Sequence, residues 1–344
     1  MTGASDSSVT TNNGDLPFHR ALLYASAEEF LATATTFVQQ GLERGDAVLA
    51  ITSDTNGDAL RHALAVQADD VEFVDPADWY QVPAWTLGSF HRRAQRCARR
   101  GRRIRAMGEM VWDSLPDEQV AEWHRCEALL NIAVAGAPIE ILCPYDTRVV
   151  AASIIDAAKA THPALGDGEH AETSARYADP LDFAGQHLRA WGPSAPSDAI
   201  TMRFGAARIP AIRRAAHRWA EEEGLDADGV RDLLIAVHEV ASNAVEHGGG
   251  QGRVTFWKAD GLLVCDVSSS RPIPDPLAGY LPPDIKQQRG RGLWLARQIC
   301  DRVDIRSGPD GATVRLWWQP HPDRPARTGY SRLGRPDAVA RNAT

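Results

Sequence analysis

The sequence predicts two α/β domains, the first built on a parallel sheet. Three observations lead there. The chain has 344 residues, which suits two domains at roughly 150 residues each. Short apolar runs alternate with amphipathic stretches through the first half, the rhythm of βαβ units. A turn-rich stretch then separates this pattern from a second one. Hydrophobic residues make up 44% and charged residues 24%, so both halves can bury a core.

The first pattern starts after residues 1–17, a Ser-, Thr- and Asn-rich stretch expected to be a disordered leader. Phe30, Leu31, Ala34, Phe37, Val38 and Leu42 recur at helical spacing and predict a helix over Ala27–Glu43. Ala47–Thr52 is a continuous apolar run of the kind a buried parallel strand needs. Further helices are expected at Gly57–Leu64, Trp85–Arg103 and Asp117–Ala135, and strands at Val71–Val74, Ile104–Met107 and Ile139–Cys143. Glycine and proline cluster between 166 and 197, which places a linker at 171–198, after a first domain over 18–170.

The second domain is expected over 199–320. Pro210–Glu223 reads as a helix with proline in its first turn. Asp226 is placed to cap a long helix that runs to His247 and stops at three glycines. Arg253–Ala259 and Leu262–Ser268 flank Asp260-Gly261, a strong hairpin signal. A proline-rich loop leads to a helix at Gly292–Asp301, and strands follow at Val303–Arg306 and Thr313–Trp318. Residues 321–344 are expected to be a disordered tail.

Composition excludes several functions. Net charge is −8 and no helix-turn-helix pattern is evident, so direct DNA binding is not expected. The chain has three lysines, Lys159, Lys258 and Lys286, so no phosphate-loop lysine exists before residue 159. The five cysteines form no C-x-x-C pair and suit reduced thiols in cytoplasm. No apolar run is long enough to span a membrane. Eight arginines lie from Arg92 to Arg105, with Arg92, Arg96, Arg99 and Arg103 expected on one helical face; they read as a solvated face, or as a docking surface for an acidic partner or for the second domain.

The long helix carries Glu239, Asn243 and His247 four residues apart, one polar stripe on a buried-type helix. An amide oxygen there is a hard ligand for Mg2+, and a carboxylate one turn earlier can orient or deprotonate a nucleophile. Next come Asp266 at a strand, Gly290 and Gly292 at a helix start, and Thr313 on the last strand. In this order, residues 200–319 resemble a GHKL histidine-kinase-like ATPase of the anti-sigma factor and serine-kinase type. The resemblance implies an α/β sandwich with a mixed sheet, binding ATP and Mg2+. It assigns Glu239 as general base, Asn243 to Mg2+, Asp266 to adenine, and Gly290 and Gly292 to phosphates, with His247 and Thr313 completing the nucleotide site. Ser268 and Ser270 stand where the family places glycines, which weakens nucleotide binding.

Residues 18–163 resemble a MEDS-type sensory domain. Phe18-His19, Tyr24, Phe37, the 41–45 turn, Met107-Gly108-Glu109, Glu127–Asn131 and Leu142–Asp146 carry that likeness. It implies a RecA-like parallel sheet without a phosphate loop. His19, Glu109, Glu127, Asn131, Cys143, Tyr145 and Asp146 are its candidate pocket for a small-molecule signal. Two readings follow: an anti-sigma factor that phosphorylates an anti-anti-sigma (STAS-type) protein, or a catalytically inactive pseudokinase that sequesters a sigma factor or other partner by binding alone. A homodimer is compatible with either.

Overall fold

The computed structural model describes residues 18–113, 115–166, 171–188, 191–283 and 291–320. The expected leader and tail and Gly290 lie outside these residues. The chain forms two compact units that divide between Arg189 and Ala190.

The first unit runs β1 (His19–Tyr24), α1 (Ala27–Glu43), β2 (Ala47–Ile51), α2 (Asp54–Leu64), β3 (Val71–Val74), α3 (Pro76–Trp79), α4 (Pro83–Ala98), β4 (Ile104–Gly108), α5 (Asp117–Ala133), β5 (Ile139–Asp146), α6 (Ala152–Thr161), β6 (Ala164–Leu165), β7 (Glu172–Thr173) and α7 (Pro180–Gln186). Its sheet has the order β3-β2-β4-β5-β1-β6-β7. Every pairing is parallel except β6 with β7. Ser26 caps α1 by accepting from the Glu29 amide, and α1 buries Phe30, Phe37 and Val38 against Leu22, Val48 and Leu142.

β1, for which no strand was expected, sits between β5 and β6. Its sequence HRALLY carries two basic side chains, and both are buried. Arg20 Nη2 donates to Glu140 Oε1 at 2.7 Å, and Arg105 Nη2 of β4 donates to Glu140 Oε2 at 2.7 Å. One carboxylate on β5 thus neutralises a guanidinium from each neighbouring strand.

The arginine run departs from its expected single face. α4 ends at Ala98 with Arg99 as its helical C-cap, and Gly101 turns the chain at φ +66°, so Arg103 leaves the helical face of Arg92, Arg96 and Arg99. Arg105 is buried, and Arg93 forks onto Glu72 at 2.8 Å. The expected linker also shortens. Phe183 and Ala184 of α7 are buried in the first unit, while the Trp191 and Pro193 carbonyls hold Arg315 in the second.

The second unit runs β8 (Ile200–Gly205), α8 (Ile209–Glu222), α9 (Ala227–Glu246), β9 (Gln251–Ala259), β10 (Leu262–Ser269), α10 (Gly292–Ile299), β11 (Arg302–Gly308) and β12 (Gly311–Trp318). Its sheet, β11-β12-β10-β9-β8, is antiparallel in every described pairing, where the resemblance implied a mixed sheet. Two hairpins, β9–β10 and β11–β12, supply adjacent antiparallel pairs, and the longer connections through α8 and α9 and through α10 bring no two described strands parallel. Asp260 and Gly261 adopt φ of 50° and 79°, the left-handed pair a type I′ hairpin needs. Asp226 caps α9 by accepting from the Gly229 amide at 2.6 Å. Leu233, Val237, Val240 and Ala244 of α9 then pack on Leu263, Cys265 and Val267 of β10.

The buried Arg20–Glu140–Arg105 triad sets a stability test. Glu140→Ala strands two guanidinium groups in the sheet and is expected to cost about 3–5 kcal/mol. Urea unfolding followed by circular dichroism checks it; an unchanged first transition contradicts the triad's role.

Candidate functional site

The second unit contains a cavity of about 440 Å3 between α9, β10 and the loop over residues 271–283. Asn243 and His247 of the polar stripe line it. Glu239 lies one turn earlier, where α9 meets the start of α10. A Cβ on Gly292 would stand 2.8 Å from Asn243 Nδ2 and 2.9 Å from Glu239 Oε2. Glycine at 292 is therefore what lets α10 approach both side chains.

Asp266 and Thr313 do not join them. Side chains alternate faces along a strand. On β10, Leu263, Cys265 and Val267 belong to the core beneath the helices, whereas Val264 packs on the other face with Trp257 and Trp317. Asp266 has the phase of Val264. It pairs in register with Arg315 of β12, which donates Nε to Oδ1 at 2.7 Å and Nη2 to Oδ2 at 2.8 Å. The guanidinium lies 4.5 Å from the ring centre of Trp191, 4.8 Å from Trp257 and 5.6 Å from Trp317. Thr313 shares this face and is hydrogen-bonded to Ser268 at 2.9 Å. The assignment of Asp266 to adenine is thus overturned by strand phase, and that of Thr313 with it. The β10 residues that reach the cavity are Val267 and Ser269.

Among the described residues, the strand wall of the cavity departs from the donor set the resemblance implied. The strand wall of the cavity carries a hydroxyl and an isopropyl group instead of a carboxylate. Pro272, Pro274, Pro282 and Pro283 stiffen the opposite wall. Asp275, the carboxylate on that wall, accepts its own loop's Leu277 amide at 2.9 Å.

In the first unit, five of the seven pocket candidates converge on the sheet face that meets α5 and α6. Asn131 Nδ2 donates to the carbonyls of Glu127, Ala128 and Thr161 at 3.3, 3.2 and 2.8 Å. That orients its Oδ1 to accept from His19 Nδ1 at 3.1 Å. Cys143 Sγ is 3.5 Å from His19 Nε2. Tyr145 Oη donates to Glu127 Oε1 at 2.6 Å. Glu109 stands apart at the ends of β2 and β4, accepting from Thr52, Ser53 and Asn56. Asp146 is forked by Arg148.

His162 was not among the candidates, yet it belongs to this cluster. It follows α6, is wholly buried, and its ring centre lies 4.0 Å from that of His19. Only its place before Pro163 marks it in the sequence, and that signals a helix end rather than a site. Burial holds His19 down at about 4, and burial with the neighbouring His19 holds His162 well below the ordinary histidine value. Burial pushes the Cys143 thiol up. Burial raises Glu127 to about 7, opposed by its bonds from Tyr145 and Thr161.

Glu127 therefore stabilises the fold in its protonated form. Its native value exceeds the ordinary 4.5, so its contribution is complete below that pH and is lost as pH rises through about 7. His19 runs the other way, since its native value of about 4 lies below 6.5; its contribution is lost as pH falls from 6.5 towards 4. Melting curves of wild type and Glu127→Gln between pH 8 and pH 5 are expected to separate in favour of wild type as pH falls. Parallel curves contradict the assignment.

Known families match both units. Residues 18–163 match the model of MEDS, the MEthanogen/methylotroph, DcmR Sensory domain. Residues 203–318 match the model of the histidine kinase-like ATPase domain. Among solved structures, the RsbU and RsbW domains of Rv1364c from Mycobacterium tuberculosis match at 22% identity with a TM-score of 0.28, over 40% of this chain and 40% of that one. The histidine kinase domain of the blue-light activated kinase from Erythrobacter litoralis EL346 matches at 13% identity with a TM-score of 0.23, over 58% of this chain and 91% of that one. Among the described residues no helix is long and apolar enough to cross a membrane. The chain carries a MEDS domain at residues 18–163, followed by a histidine kinase-like ATPase domain at residues 203–318.

Proposed function

We propose that the chain is a signalling regulator whose kinase-like domain works by binding a protein partner, with the MEDS domain supplying the signal. The partner class is a sigma factor or an anti-anti-sigma (STAS-type) protein, and the compartment is the cytoplasm. The observation that carries this reading is the strand phase of β10. Asp266 is committed to Arg315 on the far face, and Ser269 stands on the cavity wall. A polar adenine edge entering the cavity would lose a charged hydrogen bond there, worth about 1.5–3 kcal/mol.

Two further features support a binding role. Arg213, Arg214, His217 and Arg218 are exposed along α8, around a shallow depression floored by Leu234. A cationic rim about an apolar centre suits an acidic protein surface. None of the five cysteines is in a disulfide, which suits a reducing compartment.

The kinase reading retains one favourable observation. Glu239 and Asn243 meet at Gly292, where a Mg-bound nucleotide would supply a transferable phosphoryl group. Asn243 would hold the cation there, and Glu239 would orient a partner's serine hydroxyl.

Calorimetry with Mg-ATP separates the two. Wild type is expected to bind weakly or not at all. Ser269→Asp is expected to tighten binding at least about tenfold, the worth of one charged hydrogen bond. Tight binding by wild type that Asn243→Ala abolishes, with transfer of labelled phosphate to an anti-anti-sigma protein, overturns the binding-only reading.

A further inference from the structure

The His19–Cys143–His162 cluster lies in the first unit, outside everything the kinase-like domain requires. One donor atom from each residue lies within 4.8 Å of the other two, and all three residues are buried. They arrive from β1, β5 and the residue after α6, so chain proximity does not account for the meeting.

The proton positions are set by the surroundings. Asn131 Oδ1 can only accept, so His19 carries its proton on Nδ1. His162 Nδ1 lies 2.8 Å from the Ala158 carbonyl, which likewise can only accept. Both Nε2 atoms are therefore bare bases, and that of His19 faces the Cys143 thiol. One thiol proton can serve one of them: Cys143 Sγ lies 3.5 Å from His19 Nε2. His162 Nε2 is buried and has no hydrogen-bond partner. The desolvation of that lone pair goes uncompensated within the protein.

A cation compensates it. Nitrogen and sulfur donors around a tetrahedral ion at bond lengths of about 2.0–2.3 Å stand roughly 3.6 Å apart, close to the His19–Cys143 separation. Imidazoles that ligate through Nε2 usually donate Nδ1 to a carbonyl or amide oxygen that fixes the ring, as Asn131 and Ala158 do here. We propose that His19 Nε2, His162 Nε2 and Cys143 Sγ form a binding site for a thiophilic divalent cation of the zinc type. The thiol proton leaves to solvent as the thiolate–metal bond forms. Among the described residues the cluster offers three protein donors, one fewer than a closed structural zinc site. The remaining coordination position takes water or a small exogenous ligand.

The test uses the full-length chain, stripped with a chelator and titrated with Co2+, then with Zn2+ in competition. One equivalent of Co2+ is expected, with tetrahedral visible bands and a near-ultraviolet thiolate-to-cobalt band. Cys143→Ser removes the thiolate band, while Cys97→Ser, at a partly exposed cysteine, retains it. Asn131→Leu is expected to weaken binding about 10–100-fold, and His162→Gln by at least as much. X-ray absorption at the zinc edge of wild type needs no variant; it is expected to give one sulfur and imidazole scattering. No metal uptake, a first shell of oxygen and nitrogen alone, or a thiolate band that survives Cys143→Ser each overturns the proposal.

Discussion

The second domain is organised by the ion pair between Asp266 and Arg315. Both charges sit inside the sheet's outer layer, and burying them is expensive unless each remaining donor and lone pair is met. It is met here: Asp266 takes two guanidinium bonds, the Trp191 and Pro193 carbonyls take Nη1, and indole faces enclose the cation. Such a pair cannot slip. Moving β10 by one residue would exchange its faces, placing Asp266 under the helices and Val267 against the tryptophans. The pair thus holds the register of β10 on β12 and, through it, decides what faces the cavity. The carboxylate that a nucleotide would use is spent on the sheet's own integrity.

The first domain divides its sheet chemistry in a related way. On one face of β1 and β5, Arg20 and Glu140 satisfy each other beside an apolar layer under α1. On the other face, His19, Cys143 and Tyr145 meet Asn131 and Glu127 of α5. The first face closes its charges among themselves. The second retains a lone pair, a thiol and a carboxyl that titrates near neutrality.

Much of this was legible in residue pattern. The AVLAIT run, the Asp260-Gly261 hairpin and the Asp226 cap were local signals, and each element formed where its chemistry pointed. The four-residue spacing of Glu239, Asn243 and His247 placed them on one stripe of α9, and that stripe does face α10 and the cavity. β1 was hidden because His19 and Arg20 contradict the apolar habit of an interior strand; the partner that makes Arg20 tolerable, Glu140, lies 120 residues away. The phase of Asp266 was present in the sequence as the alternation Leu263, Cys265, Val267. Matching a motif by residue type and order ignored it. His162 had no local signal, since its role arises from contacts that exist only in the folded chain.

The tryptophans around Arg315 carry an optical consequence. Trp191, Trp257 and Trp317 lie on the face of the sheet away from the helices, and among the described residues that line the cavity there is no tryptophan. A guest in the cavity is separated from those indoles by the thickness of a β-sheet and leaves their surroundings unchanged. Loss of the Arg315 clamp would change the surroundings of all three rings together. The intrinsic emission of these indoles is thus a gauge of whether the sheet is intact, and it is blind to whether the cavity is filled.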